Sequence, residues 1–205
     1  DGGSPNVGRN EERREFVKLR IVYNAPVVLT FALLSGAVLL MSMCMGGSFL
    51  YTFFVLRRGS LLDPLFWFRL VFYVFGHADL QHYLSNMMLF LVIGPSVEEK
   101  YGSKNTFFMI VVTAIATAIV HIGLTSDGLI GSSGVVFGFI VLASMTSFKK
   151  GEIPLTMIGV ILMYLGQEVA DGLFKEDQVS QLAHICGGLI GASCGFVYKY
   201  KINPE

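Results

Sequence analysis

The chain has 205 residues, no formal net charge, and 15% charged residues against 53% hydrophobic ones. A soluble domain usually carries about 25% charged residues, so this composition is not that of an ordinary soluble protein. Zero net charge also provides no global basic field for nucleic acid, and we expect no nucleic-acid partner.

Residues 1–24 form a polar, basic segment that we expect to lie in the cytoplasm. Residues 25–205 then form a single membrane-embedded core with no separate soluble domain. The first apolar run starts too late and is too long for a cleavable signal peptide, so we expect none.

Six apolar runs follow, at about 25–45, 83–97, 106–124, 131–148, 154–172 and 180–198. Apolar runs that approach 18 or more residues are typical of transmembrane helices. The second run is short and begins with polar residues, so hydropathy alone supports it least. The sequence predicts an all-α polytopic membrane protein, in which six transmembrane helices form one bundle.

The basic residues indicate the orientation of this bundle. With a cytoplasmic N-terminus, eleven Lys and Arg residues lie on the inner side. Four lie on the outer side: Arg57, Arg58, Arg69 and Lys175. Such a bias follows the positive-inside rule and places both termini in the cytoplasm.

The longest connection, residues 47–76, is rich in aromatic side chains with arginines between them. Aromatic residues concentrate at the membrane–water interface, so we predict that this connection lies in the outer interface. The sequence leaves open whether it only anchors the protein or also faces a substrate.

Three groups of polar residues interrupt the apolar runs: Gly-Ser-Ser-Gly at 131–134, His184, and His82 with Asn86. Polar groups in hydrocarbon are costly and usually functional, and serine with histidine is the core of a hydrolase site. His82, Ser133 and His184 each lie 15 or 16 residues from an inner charge of their own run. All three therefore share one depth, roughly 22–24 Å above the inner boundary.

Small residues suggest how these groups meet. Glycines flank the serines and recur along the last run at Gly187, Gly188, Gly191 and Gly195. Such spacing lets helix backbones approach closely, so we expect the fourth and sixth helices to pack tightly. The start of the fourth helix also offers backbone N–H groups for a developing oxyanion. These arguments do not choose between Ser132 and Ser133 as the nucleophile.

His82 and Asn86 are four residues apart and face one side of the second helix. Interhelical hydrogen bonding is one role for such a pair, since polar side chains often link membrane helices. Donating hydrogen bonds to an oxyanion is the other, and the shared depth with Ser133 and His184 favours it.

These motifs resemble those of the rhomboid intramembrane serine proteases. The Gly-Ser-Ser-Gly string resembles the family's Gly-x-Ser-Gly motif, which implies that Ser133 is the nucleophile. Residues 183–188 resemble its histidine motif, with His184 as the general base. Residues 82–86 match its His-x-x-x-Asn motif on the second core helix.

The resemblance extends from about residue 26 to residue 201. His77 resembles a recurrent histidine of the family, and residues 97–102 resemble the segment that closes the second core helix. Trp67-Phe68-Arg69 is similar to the Trp-Arg pair of the family's first loop, with Phe68 inserted between the two.

One position departs from the family pattern: Phe137 stands where many members carry a tyrosine that stacks on the histidine. Its ring can still orient His184, but the hydroxyl contact is lost. The resemblance implies a Ser-His dyad that needs no metal or cofactor and acts on transmembrane protein substrates in the lipid bilayer. It also implies substrate access between the second and fifth helices, beneath a cap near residues 174–182.

The compact plan without appended domains favours a bacterial plasma membrane, and the physical reasoning leaves a mitochondrial or Golgi membrane open. A non-catalytic rhomboid-like protein that binds transmembrane helices is the alternative, disfavoured because Ser133 and His184 are both present. A transporter or channel would need core carboxylates or broken-helix repeats, and neither is evident. Oligomeric state and natural substrate stay open.

Overall fold

The computed structural model describes residues 22–145, 155, 158–159, 162 and 179–202. Most of the predicted fifth helix, at 154–172, lies outside these residues. So do most of the predicted cap and nearly all of the N-terminal segment 1–24.

The described chain is helical. Its helices are α1 (Pro26–Met45), α2 (Gly47–Phe53), α3 (Pro64–Phe72) followed by a 3-10 turn (Tyr73–Phe75), α4 (Leu80–Tyr101), α5 (Ser103–Leu124), α6 (Ser133–Ser144) and α7 (Val179–Ile202). Helices α1 and α5 are long and apolar enough to cross a membrane. The all-α class is therefore confirmed for the described residues, while the count of six spans stays a prediction.

Local chemistry explains three helix boundaries that differ from prediction. Helix α4 is longer than the predicted 83–97, because Asp79 caps its start by accepting from the backbone N–H of His82 at 2.8 Å. Gly102 ends it with φ of +78°. Helix α6 begins two residues later than predicted, because Gly131 has φ of +106° and cannot be helical.

The predicted interfacial connection is structured and is fastened to the chain that precedes α6. Leu56 and Leu129 exchange two backbone hydrogen bonds, of 2.9 and 2.8 Å, in an antiparallel bridge. The guanidinium of Arg58 donates to the carbonyls of Ile122 and Gly123 at the end of α5. Such carbonyls lack partners within their own helix, so Arg58 caps α5 from a distant part of the chain.

Helix α1 also depends on a distant residue. Its N-cap, Ala25, has no side-chain oxygen with which to cap the helix. The carboxylate of Glu98, near the end of α4, accepts from the backbone N–H groups of Val27 and Val28 at 3.1 and 3.0 Å. One turn earlier on α4, Gly94 packs directly against Val28. The end of α4 therefore holds the start of α1.

Helix α6 lies at the centre of the described bundle, with every residue from 134 to 142 buried. Its packing on α7 is backbone against backbone. A Cβ added at Gly134 would lie 2.9 Å from the carbonyl oxygen of Ala183, and one at Gly187 would strike the carbonyl oxygen of Gly134. Gly138 and Gly191 repeat the arrangement about one turn along. The predicted close approach of these two helices is confirmed.

Candidate active site

The first turn of α4 places His82 at the site. Its Nδ1 lies 3.4 Å from the backbone N–H of Ala78, which can only donate. This contact assigns the ring proton to Nε2, since a neutral imidazole has one donor and one acceptor nitrogen. His82 therefore presents an N–H donor on the side away from Ala78.

Asn86 lies one turn further along α4 and is buried. Its Nδ2 donates to the backbone carbonyl of His82 at 2.9 Å. An amide nitrogen carries two hydrogens, so a second N–H remains for another acceptor. The two residues share one face of α4, as the four-residue spacing predicts.

The turn before α6 is pressed against His82. A side chain at Gly131 would lie 2.8 Å from both Cε1 and Nε2 of the His82 ring, so only glycine fits there. The backbone N–H of Gly131 donates to the carbonyl of Tyr73 at 3.1 Å. The start of α6 is thus held between the 3-10 turn and α4.

The two serines of this turn differ in accessibility. Ser132, the N-cap of α6, is fully buried, and its Oγ lies 3.2 Å from Nε2 of His77. Ser133, the first residue of α6, is half-buried. A nucleophile must reach its substrate, so the half-buried Ser133 suits that role and the fully buried Ser132 does not.

His184 lies on α7 beside Phe137 of α6. Their ring centroids are 5.9 Å apart, with an angle of 35° between the planes. Gly188 makes room for this contact, since a side chain there would strike the Phe137 ring. His82 of α4 therefore lies against the turn before α6, and His184 of α7 lies against Phe137 of α6.

The sequence assigned no role to His77 beyond its resemblance to a family histidine. It lies in the connection before α4, where its ring packs edge-on against His82 with centroids 5.0 Å apart. Burial lowers the pKa of His77 to about 4, and the neighbouring His82 acts in the same direction. His77 is therefore neutral at physiological pH. Among the described residues, no three His, Cys, Asp or Glu side chains cluster to hold a metal ion.

Comparison with known proteins connects this geometry to a family. A model of the rhomboid domain matches residues 65–201, more than half of the chain. Rhomboid-like protein 15 of Arabidopsis thaliana is 28% identical over 148 residues, covering 62% of this chain and 34% of that protein. Rhomboid-related protein 1 of Caenorhabditis elegans is 26% identical over 146 residues, covering 65% of this chain and 40% of that protein.

A bacterial relative is similar at the same level. Rhomboid protease GlpG of Salmonella choleraesuis is 25% identical over 150 residues, covering 66% of this chain and 51% of the relative. The chain thus spans between about a third and a half of the length of these three relatives.

Proposed function

Because the chain belongs to the rhomboid family of integral membrane proteins, we propose that it is an intramembrane serine endopeptidase with a Ser133–His184 dyad. The observation that carries the proposal is the start of α6. There a half-buried serine, on a turn that only glycine permits, lies beside the helix that bears His184. The substrates are transmembrane segments of other proteins, which lie in the same bilayer.

The reaction begins when the imidazole of His184 takes the proton from the Ser133 hydroxyl. The Ser133 oxygen then attacks the carbonyl carbon of the scissile peptide bond. Phe137 packs against the His184 ring from α6 and, having no hydroxyl, contributes to its orientation by packing. His184 next protonates the leaving amine. Water then hydrolyses the acyl-enzyme with His184 acting as base.

The negative charge on the substrate oxygen is stabilised by N–H donors around the start of α6. The first backbone N–H groups of a helix lack intrahelical partners and sit at its positive end. The Ser133 N–H is such a donor. Nε2–H of His82, which faces the Gly131 turn, and the second N–H of Asn86 supply the side-chain donors. Donors fixed before the reaction stabilise the transition state without reorganising.

Substrate helices must unwind locally before attack, because carbonyls inside a helix are hydrogen-bonded and shielded. Entry between α4 and the predicted fifth helix, beneath a cap near residues 174–182, follows from the family resemblance. Cytoplasmic termini and a bacterial plasma membrane likewise stay predictions, as does the division at residues 24 and 25.

A non-catalytic helix-binding protein is the second candidate, because curated relatives include proteins named only rhomboid-like. It would keep the same bundle and polar pocket. It gives no reason, however, for a half-buried serine and a histidine at the α6–α7 crossing.

Labelling with a fluorophosphonate, which reacts with activated serines, separates the two candidates. We expect wild-type protein in detergent or liposomes to be labelled and to cleave a model transmembrane substrate. Ser133→Ala and His184→Ala should each abolish both activities. Ser193→Ala is the matched control, since Ser193 is exposed on α7 and bonds only to its own helix at Leu189. Cleavage that survives Ser133→Ala would contradict the proposal.

A further inference from the structure

A second serine–histidine contact lies immediately behind the proposed dyad. Ser132 is fully buried at the N-cap of α6, and its Oγ is 3.2 Å from Nε2 of His77. His77 is likewise fully buried. The contact joins the turn before α6 to the connection that leads into α4.

The direction of this hydrogen bond follows from the other nitrogen of the His77 ring. Nδ1 lies 3.3 Å from the backbone carbonyl of Phe75, which can only accept, so Nδ1 carries the proton. Nε2 is then the acceptor, and the Ser132 hydroxyl donates to it. Both groups are neutral, which suits a pair with no access to water.

The hydrogen bond to His77 takes up the hydroxyl of Ser132, which in an ordinary helix N-cap would bond to the first turn of its own helix. Serine is a preferred N-cap because its oxygen accepts from the first turn of its own helix. At the start of α6, the Ser132 side chain makes no such bond within the described chain and turns toward His77 instead. The Ser132 hydroxyl therefore joins α6 to His77 and does not cap its own helix.

The His77 ring also supports His82. The two rings pack edge to face, and His77 makes a second edge contact with Tyr83, with centroids 5.6 Å apart. On its other side, His82 is in contact with the Gly131 turn. One buried imidazole thus holds both the turn that carries the Ser133 N–H and the ring that carries the Nε2–H of His82.

We propose that Ser132 and His77 are positioning residues, which together fix the turn before Ser133 relative to His82 and so align the donors of the oxyanion site. The proposal rests on the protease function argued above. Neither residue touches substrate, because neither is exposed. Their effect reaches the reaction through the placement of Ser133 and His82.

The test compares the kinetics of Ser132→Ala with those of Ser35→Ala on one transmembrane substrate. Ser35 is the matched control: it is a fully buried serine in α1, and its Oγ has no hydrogen-bond partner among the described residues. Misaligned donors weaken transition-state binding more than substrate binding, so we expect kcat of Ser132→Ala to fall by about tenfold, with KM changed less than about twofold. Ser35→Ala should match wild type in both.

A double-mutant cycle tests whether the two residues act through one bond. His77→Phe removes the acceptor nitrogen and keeps a ring against His82 and Tyr83. If the bond is the working element, the double variant should be no slower than the slower single variant. If the losses of kcat in the two single variants multiply in the double variant, the two residues act independently, and the proposed pairing is overturned. If His77→Phe does not fold, the kcat of Ser132→Ala decides the question.

The controls separate this proposal from the proposed function. An active wild type with an unchanged kcat for Ser132→Ala overturns the positioning role and leaves the protease intact. A loss of kcat in Ser132→Ala that merely follows a loss of folded protein also overturns it. A wild type that neither cleaves nor takes the fluorophosphonate rejects the protease assignment, and the positioning role with it.

Discussion

Replacing Glu98 tests whether a carboxylate at the end of α4 is what completes the start of α1. Glu98 is buried, at 4% exposure, and each of its oxygens accepts one backbone N–H, from Val27 and Val28. Alanine would leave both N–H groups without a partner. We therefore expect Glu98→Ala to lower the free energy of unfolding substantially.

The two hydrogen bonds set the size of the expected loss in the free energy of unfolding. A hydrogen bond to a charged group contributes about 1.5–3 kcal/mol, and solvent screening is weak at a site this buried. Two such bonds give an upper range of about 3–6 kcal/mol, from which the relieved cost of burying the carboxylate must be subtracted. We expect a net loss of about 3 kcal/mol for Glu98→Ala. Glu98→Gln, which keeps one accepting oxygen, should lose about half as much.

The measurement is reversible unfolding of the purified protein in mixed micelles, followed by far-ultraviolet circular dichroism. Glu99→Ala is the matched control, because Glu99 is the exposed neighbour of Glu98 on the same helix. If the two alanine variants unfold within about 0.5 kcal/mol of each other, Glu98 does not hold α1, and the reasoning fails.

Two further substitutions probe the site and the helix crossing. Asn86→Ala should lower kcat by about tenfold with little loss of folded protein, because it removes one of the donors that we propose for the oxyanion site; an unchanged rate would leave Asn86 as a packing residue. Gly187→Ala should lower the free energy of unfolding by about 1–3 kcal/mol or more, because its methyl group would overlap the Gly134 carbonyl. Gly123→Ala is its control, since nothing lies within 4 Å of a Cβ there. Equal stability of these two glycine variants would refute the tight α6–α7 crossing.

The sequence predicted those features of the fold that depend on residues close together along the chain. Continuous apolar residues located α1 and α5, and small-residue spacing predicted that α6 and α7 approach closely. Hydropathy underestimated the length of α4, since its first turn is polar and is held by the Asp79 cap. The true start of α6 depends on the positive φ of Gly131, which an apolar window does not detect.

Contacts between residues far apart along the chain could not be predicted from the sequence. Glu98 and Val28 are separated by 70 positions, and His77 and Ser132 by 55. No periodicity relates such pairs, so only the folded chain brings them together. Physical reasoning on the sequence left the choice between Ser132 and Ser133 open, and the family resemblance pointed to Ser133. The full burial of Ser132 agrees with that choice.

The burial of α6 on all sides has a consequence for how the protein is made. Residues 134–142 are enclosed by the protein's own chain, yet their composition is as apolar as that of a lipid-facing helix. A membrane helix enters the bilayer before it joins its neighbours, so it must first be stable in lipid alone. On the prediction that α6 is one of the membrane spans, its apolar character would serve its release from the translocon. A polar substitution there would act on the newly inserted chain, before any pocket exists to shelter it.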